Sequence, residues 1–227
     1  MGHGAIASLS ASQFWALAHQ QSNQASRQTD DKTEEAFWRD YAPDYDQKSP
    51  LAACATELIE HVCALIDPAW HMLEIGAGPG AFTRRLAPKL ANITIVEPSA
   101  AMRAEFERLW DGHNRIETLA CKWEEVEDAE ADFVFGANAF YRMPDIATAL
   151  LKMNAVARHR VALVQTIGRP HANPLTVQID GQTFERERAD VLCGVLRQLD
   201  IKHSRRDFKI IRPDGASFAA FIDWVPE

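Results

Sequence analysis

Cysteines in metal-binding or disulfide-forming patterns are missing from this sequence. Its cysteines lie far apart and form neither a CxxC pair nor a Cys/His ligand spacing: they are Cys54, Cys63, Cys121 and Cys193. Thiols spaced in this way are typical of small buried side chains in a reducing compartment. We therefore expect a cytoplasmic protein with no metal site.

Long apolar runs and a surplus of basic residues are also missing. No stretch reaches the roughly 20 apolar residues of a membrane helix, and the first ten residues lack the basic and apolar regions of a secretion signal. With 32 acidic and 24 basic side chains the net charge is −8, which disfavours binding to a nucleic-acid backbone. The sequence therefore predicts neither a membrane nor a nucleic-acid partner.

What the sequence does contain is an alternation of apolar runs and helical patterns. A chain of 227 residues, 47% of them hydrophobic, can bury the core of one substantial domain. Strands are predicted at residues 71–75, 92–96, 115–119, 132–135, 161–167 and 201–211. Helices are predicted at residues 49–67, 81–90, 99–110, 147–158 and 185–199. This alternation favours an α/β fold in which a mostly parallel sheet is covered by helices on both faces.

The N-terminal residues are predicted to be a helical extension of that fold. Residues 10–19 have a helical pattern, whereas the polar residues 20–33 predict a linker or mobile segment. Residues 34–48 have a second helical pattern that is rich in aromatic side chains. We expect residues 1–48 to be N-terminal helices with a mobile linker, forming a candidate lid, and residues 49–227 to be the main domain.

The C-terminal part has weaker signals. Residues 168–184 contain two prolines and predict a loop. The tetrapeptide at residues 212–215, Arg-Pro-Asp-Gly, is a strong turn signal. Residues 216–225 therefore either return as an antiparallel strand or form a short terminal helix, since their spacing suits both.

Residues 71–80, HMLEIGAGPG, contain the most specific motif. A short apolar run ends at a loop with Gly76, Gly78 and Gly80, and a helical pattern follows. This order is typical of nucleotide-binding turns, because glycines let the backbone approach a ligand closely. The stretch also satisfies the G-x-G-x-x-A variant of the dinucleotide fingerprint, so the glycines alone leave NAD open. Glu74 favours a positively charged ligand instead, because a carboxylate would repel a pyrophosphate.

The run acid-x-Gly-x-Gly-x-Gly from Glu74 to Gly80 resembles the first motif of the class I S-adenosylmethionine-dependent methyltransferases. A second likeness is Glu97 in IVEPSAAM, where this family has an acid at the end of the second strand. The resemblance covers roughly residues 50–211. It implies a Rossmann-like three-layer sandwich with a mostly parallel seven-stranded sheet of order 3-2-1-4-5-7-6 and an N-terminal helical extension.

The resemblance also implies roles for individual residues. Cofactor contacts are implied for Glu74, Gly76, Ala77, Gly78, Gly80, Glu97, Pro98, Ser99, Met102, Lys122, Trp123, Asn138 and Ala139. Glu97 would accept two hydrogen bonds from the ribose, and Glu74 would act near the amino and sulfonium end. The family usually has an aspartate after the third strand, where this chain has Lys122 and Trp123. The adenine contact therefore falls to stacking on Trp123 or to a backbone carbonyl.

The activity implied is SN2 transfer of a methyl group from S-adenosyl-L-methionine to a small-molecule acceptor, which leaves S-adenosyl-L-homocysteine. The resemblance also implies that a lid over the cavity and contacts to the substrate come from Trp38, Tyr41, Tyr45, Tyr141 and Arg142. His171, Tyr141 or a carboxylate are candidates for a general base, although an activated sulfonium methyl needs alignment and exclusion of water more than a base.

Other functions stay open at this point. The chain could be a non-catalytic module that binds S-adenosylmethionine for regulation, or an NAD(P)-dependent oxidoreductase. A small-molecule acceptor is the default, because residues 136–145 lack the Asn/Asp-Pro-Pro-Tyr signature of enzymes that act on nucleic acids or proteins. The sequence allows a monomer or a homodimer.

Overall fold

The structure is a computed structural model that describes residues 9–22, 25–112 and 115–227. The prediction that no secretion signal is present concerns residues that lie almost entirely outside these ranges. Within the described ranges, no helix combines the length and the apolar composition needed to span a membrane.

The elements follow the predicted alternation. The strands are β1 His71–Ile75, β2 Asn92–Val96, β3 Arg115–Leu119, β4 Ala131–Ala137, β5 Ala157–Ile167, β6 Leu175–Ile179, β7 Gln182–Arg186, β8 Ser204–Arg212 and β9 Gly215–Trp224. The α-helices are α1 Ala11–Gln20, α2 Ala25–Thr29, α3 Asp31–Tyr41, α4 Tyr45–Lys48, α5 Leu51–Cys54, α6 Thr56–Leu65, α7 Thr83–Leu86, α8 Ala100–Leu109, α9 Ile146–Val156 and α10 Arg188–Gln198. Single 3-10 turns follow at Ala42–Asp44, Ala87–Lys89, Trp123–Glu125 and Phe140–Arg142.

Seven of the strands form one sheet, in the order β3-β2-β1-β4-β5-β9-β8. Strands β1 to β5 pair in parallel, and β9 lies antiparallel between β5 and β8. Strands β6 and β7 form a separate two-stranded hairpin. When the hairpin is left out of the numbering, the order is the 3-2-1-4-5-7-6 that the resemblance implies, so the predicted fold class is confirmed.

Buried side chains form a core on each face of this sheet. Along β1, Met72 joins the core beneath α5 to α8, whereas Leu73 and Ile75 join the core beneath α1, α9 and α10. Along β4, Phe133 and Phe135 join the first core and Val134 the second. Side chains alternate between faces because successive residues of a strand point to opposite sides. The result is the three-layer arrangement that the alternation predicts.

The N-terminal residues differ from their prediction. Phe14 and Trp15 of α1 are fully buried, and the Trp15 indole N–H donates to the Met143 carbonyl at 2.8 Å. Helix α1 thus packs with α9 and α10 on the same face of the sheet. Helix α2 and the start of α3 lie where a linker was predicted over residues 20–33, so that prediction is wrong from residue 25 onward; residues 23 and 24 lie outside the described ranges.

Three further predictions are corrected. The predicted helix at residues 49–67 is two helices, α5 and α6, separated at Ala55. The predicted helix at residues 81–90 is reduced to α7, because the glycine turn extends to Phe82 and Pro88 cannot donate a helical hydrogen bond. The predicted loop at residues 168–184 contains the β6-β7 hairpin.

The two alternatives for residues 216–225 are resolved in favour of a strand, because β9 pairs along its length with both β5 and β8.

Candidate functional site

A cavity of about 930 Å³ opens at the carboxyl ends of the parallel strands, where open α/β sheets bind ligands. It brings together most of the predicted site residues. Those that line it are Glu74, Gly76, Ala77, Gly78, Glu97, Pro98, Ser99, Met102, Lys122, Trp123, Asn138, Ala139, Trp38, Tyr41, Tyr45, Tyr141, Arg142 and His171. Gly80 is not among them. A single cavity therefore joins the predicted cofactor residues to the predicted lid.

The three glycines of the loop differ in what an added side chain would contact. All three have positive φ angles: 64° at Gly76, 56° at Gly78 and 78° at Gly80. A Cβ on Gly76 would lie 2.6 Å from the Cβ of Ala139, and one on Gly80 would lie 2.5 Å from the Phe106 ring. At Gly78 the nearest atom would be the Tyr45 ring, 4.0 Å away. Gly76 and Gly80 are thus required by packing, whereas a Cβ on Gly78 would meet only the Tyr45 ring, which also lines the cavity.

Glu97 is a buried carboxylate at the end of β2. Its two oxygens accept the backbone N–H groups of Gly78 at 2.9 Å and of Ser99 at 2.8 Å. Burial raises the pKa of this carboxyl group, and the two backbone hydrogen bonds act in the opposite direction. Because each carboxylate oxygen can accept a further hydrogen bond, the fixed carboxylate can receive two hydroxyl groups from a ligand in the cavity.

Glu74 is buried at the end of β1, and the Thr83 hydroxyl donates to it at 2.5 Å. Burial, with a smaller contribution from the charge on Glu97, raises the pKa of Glu74 to about 8. The Glu74 side chain is therefore mainly neutral at pH 7 while the cavity holds no cation. A ligand cation beside it would favour the ionised form.

The raised pKa makes a testable prediction for Glu74→Gln. The unfolded chain releases this proton near pH 4.5, whereas the folded protein keeps it up to about pH 8. The unfolded state thus binds fewer protons between these pH values, so this group lowers the free energy of unfolding as pH rises through that window. We expect Glu74→Gln to stabilise the protein by a few kcal/mol at pH 8 and much less at pH 5. Urea unfolding at both pH values measures this, and an equal effect at the two would contradict it.

Lys122 and Trp123 both line the cavity, but their polar groups interact with protein residues outside the glycine loop. The Trp123 indole N–H donates to the Ala149 carbonyl at 3.2 Å, and the ring is almost fully buried. The Lys152 ammonium lies 4.7 Å from the centre of the ring. The Lys122 ammonium pairs with Asp31 at 2.8 Å. Trp123 therefore closes the core beneath the cavity floor, and Lys122 holds the N-terminal residues.

Asn138 directly follows β4, and its side chain bonds to Thr166 of β5. Its side-chain oxygen accepts from the Thr166 backbone N–H at 2.9 Å, and its amide nitrogen donates to the Thr166 hydroxyl at 3.0 Å. Its φ angle of 52° is in the left-handed region, which asparagine tolerates better than most residues. The side chain thus fixes this edge of the cavity, and the adjoining Ala139 packs against Gly76.

Aromatic side chains from residues 25–48, which we call the lid segment, cover the cavity. Trp38 and Tyr41 are in edge contact, with ring centroids 5.6 Å apart, and Tyr41 and Tyr45 are 5.9 Å apart. Tyr45 lies above Gly78. Burial raises the pKa of the Tyr45 hydroxyl well above its usual range, so Tyr45 is a neutral cover over the glycine loop.

Two acidic residues of the lid segment, which sequence reasoning missed, fasten it to the main domain. Asp31 pairs with Lys122 at 2.8 Å and with Arg142 at 2.7 Å. Glu35 accepts the backbone N–H of Ala101 at 2.9 Å, at the N-terminus of α8. Acidic residues in a polar stretch usually face solvent. Asp31 and Glu35 therefore give no sign in the sequence that they contact the main domain, and Asp31 also lies in the stretch predicted to be a linker.

Tyr141, a candidate general base, is also tied to the lid segment. Its hydroxyl donates to buried Glu34, which also pairs with Arg27 at 2.9 Å, and the Trp38 indole N–H donates to the Tyr141 oxygen at 3.2 Å. Burial, together with the charge on Glu34, raises the pKa of Tyr141 well above its usual range. A hydroxyl that holds its proton this strongly is a poor base. The geometry favours a role for Tyr141 in holding the lid segment.

The far end of the cavity, beyond β5, contains His171 and Arg212. The His171 Nε2 atom is 3.7 Å from a carboxylate oxygen of Asp214. Arg212, the last residue of β8, is 8% exposed and lines the cavity. Sequence reasoning assigned Arg212 only to a turn. Its place in the cavity depends on the order of strands in the sheet, which no local pattern reveals.

A family model described as a methyltransferase domain matches residues 72–160. The structure of DhpI with bound SAH aligns with a TM-score of 0.60 and 20% identity over 86% of this chain and 97% of that one. Magnesium protoporphyrin IX methyltransferase from Synechocystis PCC 6803, solved with bound SAM, aligns with a TM-score of 0.54 and 14% identity, over 77% and 81% of the two chains. No curated protein sequence matches this chain.

A further solved structure, PH1948 from Pyrococcus horikoshii, is described provisionally as an RNA methyltransferase. It aligns with a TM-score of 0.55 and 15% identity over 76% of this chain and 83% of that one. The neighbours thus share a fold and differ in what they act on. Residues 72–160 match the methyltransferase-domain model, and the chain has the same α/β fold as these solved structures.

Proposed function

We propose that this protein binds S-adenosyl-L-methionine in the cavity and transfers its methyl group to a small-molecule acceptor. The observation that carries the proposal is the geometry around Glu97. Its buried carboxylate is fixed by the N–H groups of Gly78 and Ser99 at the edge of a glycine loop that is open toward the cavity. A fixed carboxylate of this kind suits the two hydroxyl groups of a ribose.

The rest of the cavity fits the other parts of this cofactor. Met102 and Pro98 line the end beside Glu97, where an adenine would lie, and Glu74 lies where a sulfonium or amino cation would find a carboxyl group. When bound, the cofactor would supply an activated methyl group: the acceptor atom would displace the methyl carbon from sulfur, which keeps the electron pair, and a proton on that atom would pass to solvent or to a base such as His171. The chain's own contribution is to align the acceptor and to exclude water with Tyr41 and Tyr45.

A small-molecule acceptor is supported by enclosure and charge. Aromatic side chains of the lid segment cover the cavity, whose volume lies in the range of small-ligand sites. The protein has a net charge of −8, and the cavity-lining cations Arg27, Lys122 and Arg142 are already paired with acids. This charge balance is unfavourable for a polyanionic acceptor such as RNA.

A cytoplasmic location is part of the same proposal. The cysteines are free thiols, which suits a reducing compartment. The monomeric or homodimeric state stays a prediction.

Calorimetry tests the proposal by comparing S-adenosylhomocysteine and NADH as ligands of the unmodified protein. We expect S-adenosylhomocysteine to bind and NADH not to bind measurably. Preference for NADH would overturn the proposal in favour of an oxidoreductase. Binding of S-adenosylhomocysteine without turnover on any acceptor would instead support the regulatory module.

The lid segment makes a prediction for Asp31→Asn, which removes both ion pairs to the main domain. Exposed ion pairs contribute about 0.2–1 kcal/mol each, so we expect S-adenosylhomocysteine to dissociate about threefold faster. Stopped-flow fluorescence measures the rate. The difference should shrink at high salt, which screens exposed charges.

Asp40→Asn is the matched control for this variant, because Asp40 is exposed on the same helix, α3. Equal rates for the Asp31 and Asp40 variants would count against a lid held by Asp31.

A further inference from the structure

Arg212 is a buried cation with little bonding of its own. Its Nε–H donates to the Ser217 hydroxyl at 2.9 Å. Its other four N–H groups have no hydrogen-bond partner, and its guanidinium has no carboxylate oxygen within 4.0 Å, among the residues that the structure describes. Burial lowers the pKa of Arg212, with the charge on Asp214 acting the other way, but a guanidinium stays charged at neutral pH. The unpaired nitrogens of Arg212 are not among the fully buried polar atoms, so they are open to the cavity that this residue lines.

The other permanent cations that line the cavity already have carboxylate partners. Arg27 pairs with Glu34, Lys48 with Asp44, and both Lys122 and Arg142 with Asp31. Within the described part of the cavity lining, Arg212 is therefore the cation available to a ligand. Its four unused donors form the planar fork that matches a carboxylate.

The position of Arg212 assigns it to the acceptor and not to the cofactor. Strand β8 runs parallel to β5, because both are antiparallel to β9, so Arg212 lies at the carboxyl edge of the sheet. Glu97 follows β2, five strands away in the sheet order, a distance of about 24 Å at 4.8 Å per strand. The glycine loop and Glu74 lie between these two ends, so a cofactor with its ribose on Glu97 leaves the Arg212 end for the acceptor.

We propose that Arg212, assisted by His171 on the loop after β5, binds a carboxylate group of the methyl acceptor and so selects acceptors that carry one. The inference rests on the proposed function, which supplies the cofactor at the other end of the cavity. A carboxylate suits the site better than a phosphate dianion, because the end beyond β5 offers one permanent cation and the Asp214 carboxylate lies close to His171. Ser217 is a positioning residue, since it holds the guanidinium through Nε.

The test uses a set of small carboxylic acids, each paired with its primary amide and with a phosphate-bearing counterpart of similar size. Binding to the protein saturated with S-adenosylhomocysteine is screened by thermal shift and measured by calorimetry. We expect carboxylates to bind at least tenfold more tightly than their amides, because the amide leaves the guanidinium unpaired. Equal binding of acids and amides, preference for phosphates, or no binding by any member of the set would overturn the proposal.

Variants locate the effect. Arg212→Gln should lower carboxylate affinity at least tenfold, and Ser217→Ala should lower it less. Arg206→Gln is the matched control, because Arg206 is exposed on the same strand, and it should change affinity less than twofold. If Arg212→Gln fails to fold, the comparison of acids with amides on the unmodified protein still decides the question.

The same experiment separates this inference from the proposed function. Arg212→Gln should bind S-adenosylhomocysteine as the unmodified protein does. A tenfold loss in this variant would show that Arg212 binds the cofactor's own carboxylate, and would overturn the inference while leaving the cofactor assignment intact. If S-adenosylhomocysteine does not bind even to the unmodified protein, the proposed function fails. The comparison of acids with amides, repeated without S-adenosylhomocysteine, then reports on Arg212 alone.

Discussion

Glu97→Ala is expected to weaken binding of S-adenosylhomocysteine roughly 100-fold. In the proposed complex the Glu97 carboxylate accepts two ribose hydroxyl groups, and a hydrogen bond to a charged group contributes about 1.5 kcal/mol or more. Two such bonds amount to about 3 kcal/mol, and each 1.4 kcal/mol is a factor of ten in affinity. Calorimetry on the purified variant measures the change directly.

The fold has to be checked alongside this measurement, because Glu97 also accepts the N–H groups of Gly78 and Ser99. Thermal unfolding without ligand shows whether the variant retains its structure. Glu97→Gln keeps the size and one acceptor oxygen, so its loss of affinity should be intermediate. Glu107→Ala removes an exposed acid from α8 and should have no effect on binding. A folded Glu97→Ala protein with less than a threefold loss would contradict the ribose assignment.

The glycine loop gives the second large effect, through a contrast between Gly76→Ala and Gly78→Ala. Both residues have positive φ, which costs an alanine about 1–2 kcal/mol. At Gly76 the added Cβ also meets the Cβ of Ala139 at 2.6 Å, and overpacking of this kind costs roughly 1–3 kcal/mol more. We expect Gly76→Ala to lower the free energy of unfolding by about 3 kcal/mol, and Gly78→Ala by about 1 kcal/mol.

Ligand binding should show the opposite order. The Cβ of Gly78→Ala would lie between the loop and the Tyr45 ring, both of which line the cavity, so this variant should lose affinity for S-adenosylhomocysteine although it remains well folded. Adding Ala139→Gly to Gly76→Ala removes the steric contact and should recover part of the lost stability. Urea unfolding and calorimetry on the three proteins measure both effects. Equal destabilisation by the two single substitutions, or no recovery in the double variant, would show that the loop packs differently.

Local patterns predicted the central part of the fold well. Strand β2 and the helix cap at Ser99 are short-range features, and the Ser99 hydroxyl accepts the Met102 backbone N–H as its position predicts. The positions of Glu74 and Glu97 follow from the strands that precede them. The place of these two acids at one end of the cavity could therefore be predicted, because parallel strands bring their carboxyl ends to one edge of the sheet.

The remaining features depend on contacts between distant residues. The polar residues 25–33 read as a linker, yet Asp31 pairs with Lys122 and Arg142, which lie about one hundred positions away in the chain. Strand β6 does alternate, with apolar residues at Leu175, Val177 and Ile179, but its partner β7 has only Phe184, so the hairpin has a weak signal as a pair. Arg212 is the last residue of an ordinary strand and reaches the site only because β9 inserts between β5 and β8. Such features become visible only once the sheet order is known.

The most direct test of this account is a crystal structure of the protein with S-adenosylhomocysteine. We predict both ribose hydroxyl groups within hydrogen-bond distance of the Glu97 carboxylate, the ligand's amino-acid part beside Gly78 and Glu74, and the end of the cavity at Arg212 left for the acceptor. A ligand that lies in the cavity without contacting Glu97, or that extends to Arg212, would contradict the account.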